Sequence, residues 1–172
     1  MKFIYLLTLS LYFVGCQKDS NSKNNPTNGS YAFSINLEGK SHSWTGGIPS
    51  PSETGQCAYV PSTTATLSMA IGTQPNLQFA FVGMIPLGIG SYKIDKNSNP
   101  AEKGIGGNIT SQNEIFTIGD NNIVTITIDK IANNKNGEVS GTIVGSITII
   151  NTKTISSRDA NINGSFRACK MN

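Results

Sequence analysis

One histidine, one tryptophan, three cysteines and only two arginines are a thin supply of the side chains that carry chemistry. With a single histidine, a histidine-rich metal site is excluded. A Ser–His–Asp or Cys–His triad must use His42, whose neighbours Ser41 and Ser43 point to the opposite face of a strand. Cys57 and Cys169 lack zinc-site spacing. The ten acids are spread singly, so no carboxylate pair marks a glycosidase, and the thirteen basic residues form no cluster that would track nucleic acid. Asp95, Asn97 and Asn99 open like a calcium loop, but Pro100 replaces its turn glycine and Gly106 stands where a bidentate glutamate belongs. Asp120-Asn121-Asn122 reads as turn chemistry. These shortages predict a protein that is not an enzyme and uses no cofactor or metal.

Long apolar runs are also missing. The longest, Phe3 to Val14, has twelve residues after Lys2 and makes a helix of about 18 Å, short of the roughly 30 Å of a bilayer core. It predicts a removable signal peptide rather than a membrane span. Val14-Gly15-Cys16 resembles the bacterial lipobox, with Phe13 where leucine is usual. The resemblance implies removal of residues 1–15 and lipidation of Cys16, palmitate being among the acyl chains. Two or three chains of about 0.8 kcal/mol per buried methylene make such an anchor effectively permanent. Gln17-Lys18-Asp19-Ser20 resembles the signal that follows the lipidated cysteine in surface lipoproteins of Bacteroidota. It implies an outer-membrane protein displayed on the cell surface rather than facing the periplasm.

After Cys16 come fourteen residues, 17–30, without an apolar side chain. They cannot offset the entropy of ordering, so 16–30 reads as a lipidated cysteine on a disordered tether, about 20 Å long as a coil. Residues 31–172 form one domain with room for a core.

In that body the apolar residues alternate. Tyr31, Phe33, Ile35 and Leu37 share one face, and a turn at Glu38-Gly39-Lys40 leads to a return strand with His42 and Trp44. Further alternating segments follow at 56–60, 64–71, 77–81, 91–95, 107–110, 114–118, 123–131, 138–150 and 160–170. Gly141 and Gly145 suit a bulge or close packing, and Asn136-Gly137 suits a turn with positive φ. No window shows helical periodicity beyond a turn or two. The fold class expected is all-β: a single antiparallel β-sandwich of about ten strands, with a small β-barrel as the alternative.

The series YAFSINLEGKSHSW, GSYKID, VTITIDKI, EVSGTIVGSI and NINGSFRACK resembles small uncharacterised Bacteroidota lipoproteins built on F-x-A-x-I-x-G-x-x-W, G-x-Y, G-T-F and G-x-F elements. Glu38 intrudes before Gly39, and Ile143 stands at the phenylalanine of G-T-F. The resemblance implies a secreted or surface β-sandwich and transfers no catalytic residue.

With Cys16 acylated, an oxidising compartment leaves Cys57 and Cys169 to form one disulfide. Trp44, Tyr59 and Tyr92, with Tyr31, are the candidate sugar-stacking aromatics. The function expected is a non-enzymatic, lipid-anchored cell-envelope module that binds a glycan or protein, with the membrane as partner through Cys16 and no nucleic acid. The alternatives are a β-barrel carrier of an apolar ligand and, behind it, a hydrolase.

Overall fold

The computed structural model describes residues 31–46, 55–72 and 78–171. The expected signal peptide, Cys16 and the expected tether, with residues 47–54 and 73–77, where a proline-bearing loop and a turn were expected, lie outside the described residues.

Eleven strands form: β1 Tyr31–Leu37, β2 Lys40–Gly46, β3 Gly55–Val60, β4 Ala65–Ile71, β5 Phe79–Ile85, β6 Gly90–Asp95, β7 Gly104–Ile109, β8 Glu114–Thr117, β9 Ile123–Ile131, β10 Glu138–Asn151 and β11 Ser156–Lys170. All belong to one sheet, in the order β2-β1-β11-β3-β4-β5-β7-β8-β10-β9-β6. Every pairing is antiparallel except β3 with β11. Because β10 also pairs with β11, the hydrogen bonds run round a closed circuit of seven strands, with β1–β2 and β9–β6 attached outside it. The two longest strands make this possible. One edge of β10 is shared between β9 (residues 139–145) and β8 (residues 148–151), while β11 meets β1 at 162–167 and β3 at 169–170.

Most of the alternating apolar residues turn inward. Tyr31, Phe33, Ile35 and Leu37 are buried, as are Leu67, Met69, Phe79, Phe81, Ile143, Ile147 and Ile149. Phe79 ties β5 to β1, β8 and β2: its ring lies 6.2 Å from that of Phe33, 5.7 Å from Phe116 and 4.7 Å from His42. This fills the middle of the interior with ring on ring, at about 0.5–1.5 kcal/mol per aromatic pair beyond the area buried.

Glu38, which looks out of place before Gly39, sits in the left-handed region at φ 51°, with Gly39 at 76°. Two positive φ values fit the two-residue hairpin turn whose twist matches its strands. Residues 151–159, where no strand was expected, are the top of the β10–β11 hairpin. Asn151 Oδ1 accepts from the amides of Lys153 and Thr154 there, and Ile155 is left at φ 56° and 86 % exposed. Polar side chains hid these strand ends, because one face of them meets water and the other ends in Arg158.

Strand directions give the body two ends. At one end lie the entry at Tyr31, the 61–64, 86–89 and 132–137 connections and the last described residue, Met171. At the other lie the Glu38–Gly39 turn and the 152–155 turn. A fourteen-residue strand at about 3.4 Å per residue separates them by somewhat over 45 Å.

Candidate functional site

The residues between the buried ones make the outer face, and across β2-β1-β11-β10-β9-β6 the register aligns them into rows. One row reads Ser43–Ser34–Ser165–Thr142–Thr127–Ser91, a hydroxyl on each of six adjacent strands. The next reads Ser41–Asn36–Asn163–Val144–Thr125–Lys93. At the far end of the first row the hydroxyls of Ser91 and Thr127 are 2.9 Å apart. The alternation that sends apolar side chains inward sends these outward, at the ~4.8 Å spacing of paired strands.

The face is hollow where β1, β2, β10 and β11 meet. An open hollow of about 530 Å³ is lined by Ser34, Asn36, Ser41, Thr142, Val144, Asn163, Gly164 and Ser165. No ionisable side chain lines it. Gly164 beneath it lets β1 and β11 approach closely, since a Cβ there would stand 2.3 Å from the Ser34 carbonyl oxygen and 2.9 Å from Ile35 Cγ1 on the core side. A second hollow of about 380 Å³ continues over Ala32, Ser43, Trp44, Thr45 and Ser165 to Arg167. Such a surface offers hydrogen bonds and shape, with a cation at one margin. It holds no nucleophile–base pair.

The aromatics expected to stack on a ligand do not share an exposed face. Tyr59 is fully buried in the core. Burial pushes its phenol up, with the Gly88 amide opposing and Tyr92 adding to the rise. Tyr92 is half-buried and donates its hydroxyl to the Gly88 carbonyl at 2.9 Å. Trp44 packs against Phe33, ring centroids 6.4 Å apart, and Tyr31 is buried with its hydroxyl donated to the Asn136 carbonyl. Each occupies the inward side of its strand, because a large aromatic on the inner register gains more from the core than from water. The hydroxyl rows replace them as the candidate surface. Their signal was present in the sequence as the polar half of each alternation, but only the register shows that the halves line up.

His42 stacks on Phe79, and burial followed by the Lys40 charge lowers its pKa. Ser41 and Ser43 face the other way, on the outer rows. Asp95 is engaged locally, accepting from the Asn97 amide and the Ser98 hydroxyl and lying 3.4 Å from Lys93. Asn122, buried at 2 %, accepts from the Gly119 amide and the Thr148 hydroxyl and so pins its turn to β10.

Sequence spacing gives no sign of the ion cluster at the end remote from Tyr31. Arg158 donates from Nε and Nη2 to both oxygens of Glu38, each at 2.7 Å, and from Nη1 to Glu114 Oε1 at 2.6 Å. The Glu38–Gly39 turn, β8 and β11 are thereby tied by one guanidinium. The Arg158 hydrogen bonds hold the Glu38 carboxyl below its ordinary value. Glu114 is 7 % exposed, and its Oε2 is buried without a partner. Replacing Arg158 by methionine leaves that carboxylate buried and unpaired. Because Arg158 itself is 42 % exposed, the expected loss is about 2–3 kcal/mol, below the full cost of breaking a buried pair. Urea titration at pH 7 measures it. Adding Glu114→Gln to Arg158→Met should recover more than half, and no recovery would remove the clasp explanation.

Cys57 and Cys169 are both fully buried and both free thiols. The sequence placed them over a hundred residues apart; the fold puts Cys169 beside Ala58, next door to Cys57, in the parallel β3–β11 pairing. Burial pushes the Cys57 thiol up to about 12, with Cys169 adding to the rise.

No protein-family model, curated protein or solved structure matches the chain.

Proposed function

We propose that this is a lipid-anchored cell-envelope protein, displayed on the outer-membrane surface through Cys16, that binds a neutral, polyhydroxylated ligand such as a glycan without transforming it. One observation carries the ligand class: the outer rows of Ser, Thr and Asn that converge on an uncharged 530 Å³ hollow. Hydroxyl and amide groups both donate and accept, so a periodic array of them matches the alternating hydroxyls of a sugar chain. Charged ligands find no counter-ion inside the hollow. The anchor rests on Val14-Gly15-Cys16 and the polar tether behind it.

Titration calorimetry of the mature protein against a panel of neutral oligosaccharides tests the ligand. Asn163→Leu with Ser165→Leu, both on the exposed outer rows, should weaken binding at least tenfold and leave the melting temperature within a few degrees. Equal binding by the variant, or no binding by any member of the panel, rejects the hollow as the site. Anchoring is tested separately: Cys16→Ser should move the protein from the membrane to the soluble fraction, and protease should shave the wild type from intact cells.

A further inference from the structure

Leu87 and Ile89 are 52 % and 65 % exposed on the 86–89 connection, with Val60 at 42 % on the neighbouring strand end. Two such residues separated by one glycine make a small apolar knob. It is held firmly from behind: Tyr92 donates to the Gly88 carbonyl, and Gly88 lies over the buried Tyr59. The Tyr59 carbonyl in turn accepts from Met171, Lys170 bonds to Asn136 and Gly137, and Asn136 accepts from Tyr31. This chain of contacts runs from the knob to Tyr31, where residues 17–30 enter the body. The knob and the end of the tether therefore occupy the same end of the molecule, with the 152–155 turn at the other.

We infer that Leu87 and Ile89 form a second contact with the lipid bilayer, seating the body on the membrane by the end at which the tether enters. The inference rests on reading Cys16 as the lipid anchor. The occupant is set by geometry. Fourteen residues span about 20 Å on average as a coil and under about 50 Å fully extended, so the anchor holds this end near the lipid surface. A contact too weak to hold a free protein is then made as an intramolecular event at millimolar effective concentration. Residues of this kind at the rim of a body suit the interface, where apolar side chains enter the headgroup–acyl boundary and cations face lipid phosphate. The charged groups around the knob's end are mixed in sign, with Lys135 as the cation free to face lipid phosphate. Lys135 is exposed on the 132–137 connection, Lys130 is paired with Glu138 at 3.3 Å, Asp129 is exposed, and Lys170 donates to the carbonyls of Ala132 and Asn133. Seated in this way, the hydroxyl rows stand along the side of the body and the Glu38–Arg158–Glu114 cluster points away from the membrane.

The full lipidated chain in phosphatidylethanolamine–phosphatidylglycerol vesicles with brominated acyl chains provides the test. In a Trp44→Phe background, Ile89→Trp supplies the only indole at the knob and Ile155→Trp the only one at the opposite turn. Bromine should quench the first at least threefold more than the second. In the unaltered chain, the amides of 87–89 should exchange hydrogen more slowly on vesicles than in the Cys16→Ser protein free in solution. Equal quenching at both sites, or unchanged exchange, in protein that floats with the vesicles overturns the seat and leaves the anchor standing. Protein that fails to float overturns the anchor reading first, and the seat with it.

Discussion

Gly141→Ala should cost the fold about 3 kcal/mol or more, the upper end of what overpacking does. A Cβ at this position would stand 1.9 Å from the Thr127 carbonyl oxygen and 2.8 Å from Phe166 Cζ. The first atom is backbone and cannot swing aside. Gly141 lies where the register between β10 and β9 shifts, after Ser140, with Asp129 as the extra residue on β9, so the close approach belongs to a bulge that bends β9 against β10. β10 itself keeps an unbroken register with β11 along its length while serving β9 with its lower half and β8 with its upper half. The penalty should therefore exceed local crowding, because relieving it separates β9 and β6 from the rest. Chemical denaturation of Gly141→Ala beside Gly106→Ala measures it. Gly106 has only the Phe116 carbonyl oxygen near, at 3.8 Å, and its substitution should stay within about 1 kcal/mol of wild type. Equal costs at the two positions would show that the bulge holds nothing together.

The sequence marks Gly141 and Gly145 as places for a bulge or close packing but leaves open which strand each approaches, and the same division recurs throughout. Strict alternation made β1, β4 and β9 visible, because one face of each meets the core and the other meets water. The β10–β11 hairpin was only half visible. Its far end carries Arg158 and Asp159, and polar side chains on both faces erase the period-two signal. The candidate surface was hidden for a different reason. Ser34, Thr142 and Ser165 are unremarkable singly, and they become a row only through pairings 23 and more residues apart in sequence. Tyr31 and Tyr59 misled because a tyrosine looks the same in sequence whether its ring faces a ligand or the core. Glu38 and Glu114 looked like isolated acids because Arg158, which joins them, is 120 residues from one and 44 from the other.

The second large effect concerns the two buried thiols and alkaline pH. Burial raises the Cys57 thiol to about 12 and the Tyr31 phenol also to about 12. A group whose folded pKa lies above its unfolded value stabilises the fold fully below the unfolded value and ceases to do so as pH rises through the folded one. For Cys57 that window opens near pH 9 and closes near pH 12, and three units correspond to on the order of 4 kcal/mol. Tyr31 acts in the same direction from about pH 10. The reduced protein should therefore hold its stability from pH 7 to 9 and lose it steeply above, with urea midpoints falling between pH 9 and 11. Cys57→Ala should remove most of that slope. Oxidation should remove it too. Cys57 precedes the Ala58 that pairs with Cys169, so their Cα atoms are about 6 Å apart but their Cβ atoms leave opposite faces of the sheet, and a disulfide needs one strand to slip by a residue. A bridged pair has no thiol left to ionise, and closing a loop of over a hundred residues should add about 4–5 kcal/mol. The bridge expected from the sequence for an exported protein therefore requires that slip. Intact mass with and without reduction identifies which form is present, and alkylation of the unfolded, unreduced chain checks it. Ready alkylation of both cysteines would remove the bridge and leave the alkaline slope as the mark of a buried thiol. A flat stability profile to pH 11 in a protein proven reduced would remove the buried-thiol account itself.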